Sequence, residues 1–166
     1  MDAGLLLARM VFGLLMAAHG TQKLFGWFGG YGLAGTAGFF EQLGFRPGRF
    51  FAATAAGTEI AAGLFVALGL LGPLGPALIV SVMIVAAATV HWQHGLFASN
   101  NGIEVPLLYG VAALTLALTG YGAYSMDAAL ALTWSEPVIW AVLAVGVVGG
   151  FANLAIRKTA PAPAHV

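Results

Sequence analysis

Apolar residues run almost without polar interruption through five stretches, Leu5 to Phe25, Phe51 to Leu71, Leu74 to Trp92, Ile103 to Gly120 and Pro137 to Ile156. At a rise of about 1.5 Å per residue, each approaches or exceeds the roughly 30 Å of a bilayer's hydrocarbon core. Runs that are apolar on every face predict helices surrounded by lipid or protein rather than by water. The interruptions agree. Gly72-Pro73 and Gly75-Pro76 predict a tight turn, Asn100-Asn101-Gly102 a second one, and Pro137 suits a first helical position. Gly26 to Arg49 is rich in glycine and aromatics, and residues 34–45 within it have the partly amphipathic pattern of a short interfacial helix. Residues 159–166, with Pro161 and Pro163, are expected to be a disordered tail. The pattern therefore predicts an all-α, polytopic membrane helix bundle, one transmembrane domain over residues 1–158.

Composition excludes several alternatives. Hydrophobic residues make up 60% of the chain and charged residues 7%, against roughly 25% charged in an ordinary soluble domain. Six basic and six acidic residues cancel, so the partner implied is the lipid bilayer, with no electrostatic footprint for nucleic acid. Cysteine is absent, which removes disulfides, thiolate metal sites and cysteine-held iron–sulfur clusters. The first apolar run has no Lys or Arg before it and contains Arg9, His19 and Lys23, so it is expected to be a retained helix rather than a cleaved signal.

Five alternating helices sort the charges by side. One end receives Lys23, Arg46, Arg49, Arg157 and Lys158, the other Asp2, Asp127 and Glu136. The Lys/Arg bias predicts a cytoplasmic C-terminus and an external N-terminus. Trp27, Tyr31 and Trp92 are expected in an aromatic belt at the basic end, with Tyr121, Tyr124 and Trp134 in one at the acidic end.

Glu59 is the informative anomaly, a carboxylate in the middle of the second run. Such a group costs several kcal/mol at membrane depth unless paired, protonated or beside water, so it marks a pathway, relay or ligand contact by default. Alternation of the helices places His19, Gln22, Lys23, Glu59, His91, His94 and Glu104 in one leaflet, whichever way the protein is inserted. Five of them have an ordinary alternative. Lys23 is close enough to the interface to snorkel, and His91 and His94 serve equally as interfacial anchors. Glu104 suits a helix N-terminus, and Glu59 suits a buried ion pair with Lys23 or His19. Arg9 lies towards the other end, as a snorkelling or structural residue bonded to backbone carbonyls.

The order and spacing of these residues resemble the DoxX family of small prokaryotic membrane proteins. The resemblance rests on Arg9 with His19-Gly20-x-x-Lys23, Gly38-Phe39-Phe40, Gly57-x-Glu59 with Gly63, His91-x-x-x-Gly95-x-Phe97 and Gly102-x-Glu104. It covers residues 5 to 120 and implies a four-helix core, to which this chain adds a fifth C-terminal transmembrane helix. It also implies the prokaryotic inner (plasma) membrane. Some relatives are subunits of membrane thiosulfate:quinone oxidoreductases, and others are accessory parts of oxidoreductase complexes in oxidative-stress defence. By that analogy the pocket binds a quinone or small redox ligand and relays protons. His19, Glu59 and His91 are then the catalytic candidates, with Gln22, Lys23, His94 and Glu104 as ligand-binding candidates.

Electrons would come from a protein partner or a bound cofactor, since the chain carries no nicotinamide, flavin or iron–sulfur motif and no c-type haem motif. A haem held by His19 and His91, or a metal held by His91, His94 and Glu104, is the lesser alternative. A different class of reading is a non-enzymatic scaffold or assembly factor. There Gly146-x-x-x-Gly150, and Gly57-x-x-x-Ala61 likewise, would pack against a second copy or a partner. A small proton-coupled transporter is the third, disfavoured by the lack of internal repeats.

Overall fold

The computed structural model describes residues 1–158, and among them the regular elements are all helical. The expected tail, residues 159–166, lies outside the described residues. The elements are α1 (Asp2–Phe25), a 3-10 turn at Trp27–Gly29, α2 (Gly32–Gln42), α3 (Gly48–Leu68), α4 (Leu74–Ala86), α5 (Glu104–Thr119), α6 (Met126–Ala129) and α7 (Glu136–Ala155). Helix α4 continues through a π-helical turn at Ala87–His91 and a 3-10 turn at Trp92–His94, so the apolar rod runs from Leu74 to His94. Together with α1, α3 and α7 it is long and apolar enough to cross a membrane. Helix α5 is apolar but only 16 residues long, about 24 Å.

The helix directions alternate as the sequence predicts. At the acidic end the Asp2 carboxylate accepts the Ala123 N–H at 3.0 Å. At the basic end the Lys158 N–H donates to the Gly44 carbonyl at 2.9 Å. Helix α5 joins the two ends: its first residue, Glu104, donates its N–H to Leu96 at 2.8 Å, while Tyr121, just beyond its last turn, packs at Gly69.

Inside a bilayer, burying an apolar side chain against protein rather than lipid gains no hydrophobic transfer energy, so close backbone contact matters more. The α1–α3 crossing shows this. A Cβ on Gly13 would lie 2.5 Å from Ala67 N, one on Gly63 2.4 Å from Gly13 O, and one on Gly20 2.6 Å from Ala56 O. Helix α4 packs in turn on α3, α5 and α7. Gly146 and Gly150 belong to the α4–α7 contact, where a Cβ would meet Ala77 O at 2.4 Å and Ser81 O at 3.0 Å respectively. The expectation that they face a second copy or partner is corrected accordingly. They are buried within the chain, and the outward face of α7 carries Val145, Val148 and Phe151.

The turn after α3 also differs from expectation. Helix α3 stops at Gly69, whose φ of 65° is left-handed, rather than running to Leu71. Pro76 lies in the first turn of α4, where a missing N–H costs no helical hydrogen bond. Leu71 and Gly72 have positive φ, and both donate their N–H groups to the Asp127 carboxylate at 2.8 and 2.7 Å. Trp134 adds a third donor at 2.9 Å. Beside them Arg9, 2% exposed, donates to Ala67 O at 2.7 Å and to Tyr124 O. Ala67 lies in the last turn of α3, where carbonyls lack helical partners and the dipole favours a cation. Arg9 is thus a structural staple between α1, the end of α3 and the loop beyond α5. Tyr121, expected in the belt, is buried against this staple, whereas Trp27, Tyr31, Trp92 and Tyr124 are exposed at the bundle ends.

Candidate functional site

Glu59 is buried at the α1–α3 interface, 3% exposed. Lys23 reaches it from the last turn of α1, with Nζ 2.7 Å from Oε1 and 2.5 Å from Oε2. Gly20 and Ala56 let the two helices approach closely one turn away, which brings a flexible lysine within reach of a carboxylate on the neighbouring helix.

The pair forms one wall of a cavity of about 280 Å³ bounded by α2, α3, α4 and α7. Phe39, Phe40, Phe45 and Phe51 line its aromatic side. Phe45 packs at 5.7 Å from Phe40 and 5.4 Å from Phe51 between ring centres. Ser81, Val82, Val85, Ala86, Thr89 and Val90 follow one another down α4 at helical spacing, and His91 joins them where the π-helical turn begins to unwind. π-helical turns recur at functional sites because the extra residue re-aims the side chains that follow.

His91 Nδ1 lies 2.8 Å from the Asn101 carbonyl. A carbonyl only accepts, so in the neutral ring Nδ1 carries the proton and Nε2 is left as acceptor.

A second, more open cleft of about 670 Å³ lies between the end of α1, the Trp27–Gly29 turn and α2. Lys23, Phe39 and Phe40 line both spaces, so they form the partition between them.

Of the seven residues predicted to share a leaflet, the structure brings Lys23, Glu59 and His91 to the cavity. Gln22 lines the neighbouring cleft and donates to Phe28 O at 3.2 Å. The other three line neither space. His19 is exposed, its ring edge-on to Tyr109 of α5 at 5.9 Å. His94 bonds Val90 O at 2.9 Å. Glu104 accepts the Ala98 N–H at 2.7 Å and so ties the loop between α4 and α5. His91, His94 and Glu104 are thereby held to three separate backbone groups, and among the described residues no three His, Asp or Glu side chains converge as metal ligands.

Sequence reasoning singled out Phe39 and Phe40 only within the Gly38-Phe39-Phe40 motif and not as cavity residues, and it missed Phe45, Phe51 and the polar groups Thr54, Thr58, Ser81 and Asn153 that also line the cavity. Asn153 carried a usable signal, being the one amide side chain in the apolar run from Pro137 to Ile156.

The DoxX family model matches residues 4–92, just over half of the chain, ending within the loop-side turn of α4. Among curated proteins and among solved structures, no match is found.

Proposed function

The chain belongs to the DoxX family and is an integral membrane protein, and on that premise we propose that it is the quinone-binding subunit of a membrane oxidoreductase complex. The observation that carries this reading is the cavity, which is lined by four phenylalanines and by a buried Glu59 ion-paired to a partly exposed Lys23. Its volume of about 280 Å³ suits a single substituted ring, just below the range of about 300–1,000 Å³ for pockets that hold drug-sized ligands.

The residues fit such a ring. The phenylalanines offer apolar faces for stacking. Two of the three ammonium protons of Lys23 serve Glu59, which leaves one donor for a ring oxygen. A bound quinone supplies the redox chemistry by taking up two electrons and two protons to become a hydroquinone. In the ion pair the proton nearest that oxygen is on Lys23, so the ammonium would deliver it on reduction and Glu59 would accept one on oxidation, while His91 Nε2, nearer the basic end, would exchange protons with water. The electrons come from a partner redox protein. By the Lys/Arg bias the basic end faces the cytoplasm of a prokaryotic cell, with the N-terminus outside.

The test is binding of a short-chain 1,4-benzoquinone to the protein in lipid nanodiscs. Saturable binding at one site per chain is expected, with loss in Thr58→Trp, which fills the cavity, and weakening in Glu59→Gln. Absence of saturable binding to the wild type, or undiminished binding to Thr58→Trp, would overturn the proposal.

A further inference from the structure

Ser81 and Asn153, like Thr54 and Thr58 of α3, line the cavity with hydrogen-bonding capacity to spare, and they do so from α4 and α7. A serine or threonine in such a helix usually satisfies its hydroxyl on the carbonyl four residues back. Thr89, Thr115 and Thr119 do so here, on Val85, Val111 and Thr115 at 2.8 to 2.9 Å. The corresponding acceptor for Ser81 is Ala77 O, which is covered by Gly146 of α7. Among the described residues the Ser81 hydroxyl has no hydrogen-bond partner, and it lines the cavity. Gly149 faces that hydroxyl across the α4–α7 contact, where a Cβ would stand 3.5 Å from Ser81 Oγ, an ordinary contact. One turn further along α7, Asn153 uses one N–H on Gly149 O at 2.9 Å. Its second N–H and its Oδ1 remain available at the same cavity wall.

The helices pack in the order α1 on α3, α3 on α4 and α4 on α7. Lys23 on α1 and Asn153 on α7 therefore reach the cavity from helices that α3 and α4 separate in that order. We infer that Ser81 and Asn153 form a second polar subsite, which holds the far oxygen of a ring whose near oxygen meets Lys23. This rests on the quinone reading above and narrows it to ligands oxygenated at both ends of the ring, 1,4-quinones and their hydroquinones. Serine and asparagine each offer a donor and an acceptor, so one subsite serves the carbonyl of the oxidised ring and the hydroxyl of the reduced one.

The experiment compares two probes in nanodiscs, a decyl-substituted 1,4-benzoquinone and a 4-alkylphenol with a single ring oxygen. Ser81→Ala with Asn153→Leu is expected to weaken the benzoquinone about tenfold, the worth of one to two hydrogen bonds, and to leave the alkylphenol unchanged. A second readout is independent of affinity. The infrared carbonyl stretches of the bound, isotope-labelled quinone should show two hydrogen-bonded carbonyls in the wild type, and one should shift part of the way in Ser81→Ala alone and move to the free frequency in the double variant. Benzoquinone affinity and carbonyl stretches unchanged in the variants would overturn the subsite while leaving the quinone reading intact. A wild type that binds no benzoquinone overturns both.

Discussion

Lys23 Nζ contacts both carboxylate oxygens of Glu59, at 2.5 and 2.7 Å, and so joins α1 to α3 by one ion pair at the wall of a cavity. The carboxylate is almost fully buried and the lysine side chain is 29% exposed, towards the open cleft on its other side. That asymmetry matters for energetics and access alike. Glu59 depends on Lys23 for charge compensation, whereas Lys23 has a second environment open to it.

Removing one partner should therefore cost more than removing both. Lys23→Met leaves an unpaired buried carboxylate and is expected to destabilise the protein by about 3 kcal/mol or to leave Glu59 protonated, while Lys23→Met with Glu59→Leu should recover most of the loss. Thermal unfolding in detergent checks this. A double variant as unstable as Lys23→Met would show that the pair stabilises by more than cancelling its own charges.

Lys23 also forms part of the partition between the cavity and the cleft. The chain has no cysteine, so an introduced one is a unique probe. Thr58→Cys, inside the cavity, is expected to react slowly with a water-soluble maleimide and several-fold faster when Lys23 is also changed to Ala. Gly38→Cys, which lines the cleft where a Cβ meets nothing, should react quickly in both backgrounds. Equal Thr58→Cys rates with and without Lys23 would exclude the lysine as the barrier.

Rarity made part of this site legible. A lone glutamate in an apolar run identified Glu59, and helix alternation brought Lys23 and His91 to its depth without any coordinates. Depth does not fix azimuth, however. His19 and Lys23 are four residues apart, offset by about 40° around α1, and that offset with the length of the lysine separates them. Lys23 bends to α3 while His19 faces Tyr109 of α5. Phe45 and Phe51 gave no signal, because an aromatic residue in an apolar chain has no contrast, and Phe39 and Phe40 stood out only through the glycine beside them. Gly146 and Gly150 gave a true signal of close packing, but the motif does not say whether the facing helix belongs to the same chain.

The glycines at the α1–α3 crossing carry a prediction that separates packing from composition. Gly13→Val and Gly63→Val drive side chains into backbone atoms, with an expected cost on the order of 3 kcal/mol. Gly57, on the same helix as Gly63, has nothing within 4 Å of a Cβ. Gly57→Ala should be neutral or stabilise by up to about 1 kcal/mol. Detergent melting curves for the three variants decide it, and a destabilised Gly57→Ala would mean that this face is packed against another molecule.

At the acidic end, Tyr121 offers a prediction with a definite sign. Among the described residues its buried hydroxyl has no hydrogen-bond partner. Burial first, and then the nearby Asp127 charge, push its phenol well above the ordinary value, while Arg9 opposes the rise. In the unfolded chain the phenol ionises near pH 10. Above that pH the unfolded state binds fewer protons than the folded one, so the contribution of Tyr121 to stability falls as pH rises. At neutral pH both states hold the proton and this term is silent. Tyr121→Phe removes the ionisable group together with an unsatisfied buried hydroxyl. Near pH 7 it should leave stability unchanged or raise it by about 1 kcal/mol. Between about pH 9.5 and 11 it should flatten the decline in melting temperature relative to the wild type. A variant that melts lower at neutral pH and declines as steeply as the wild type would show that the hydroxyl contributes a bond holding the Arg9 staple in place.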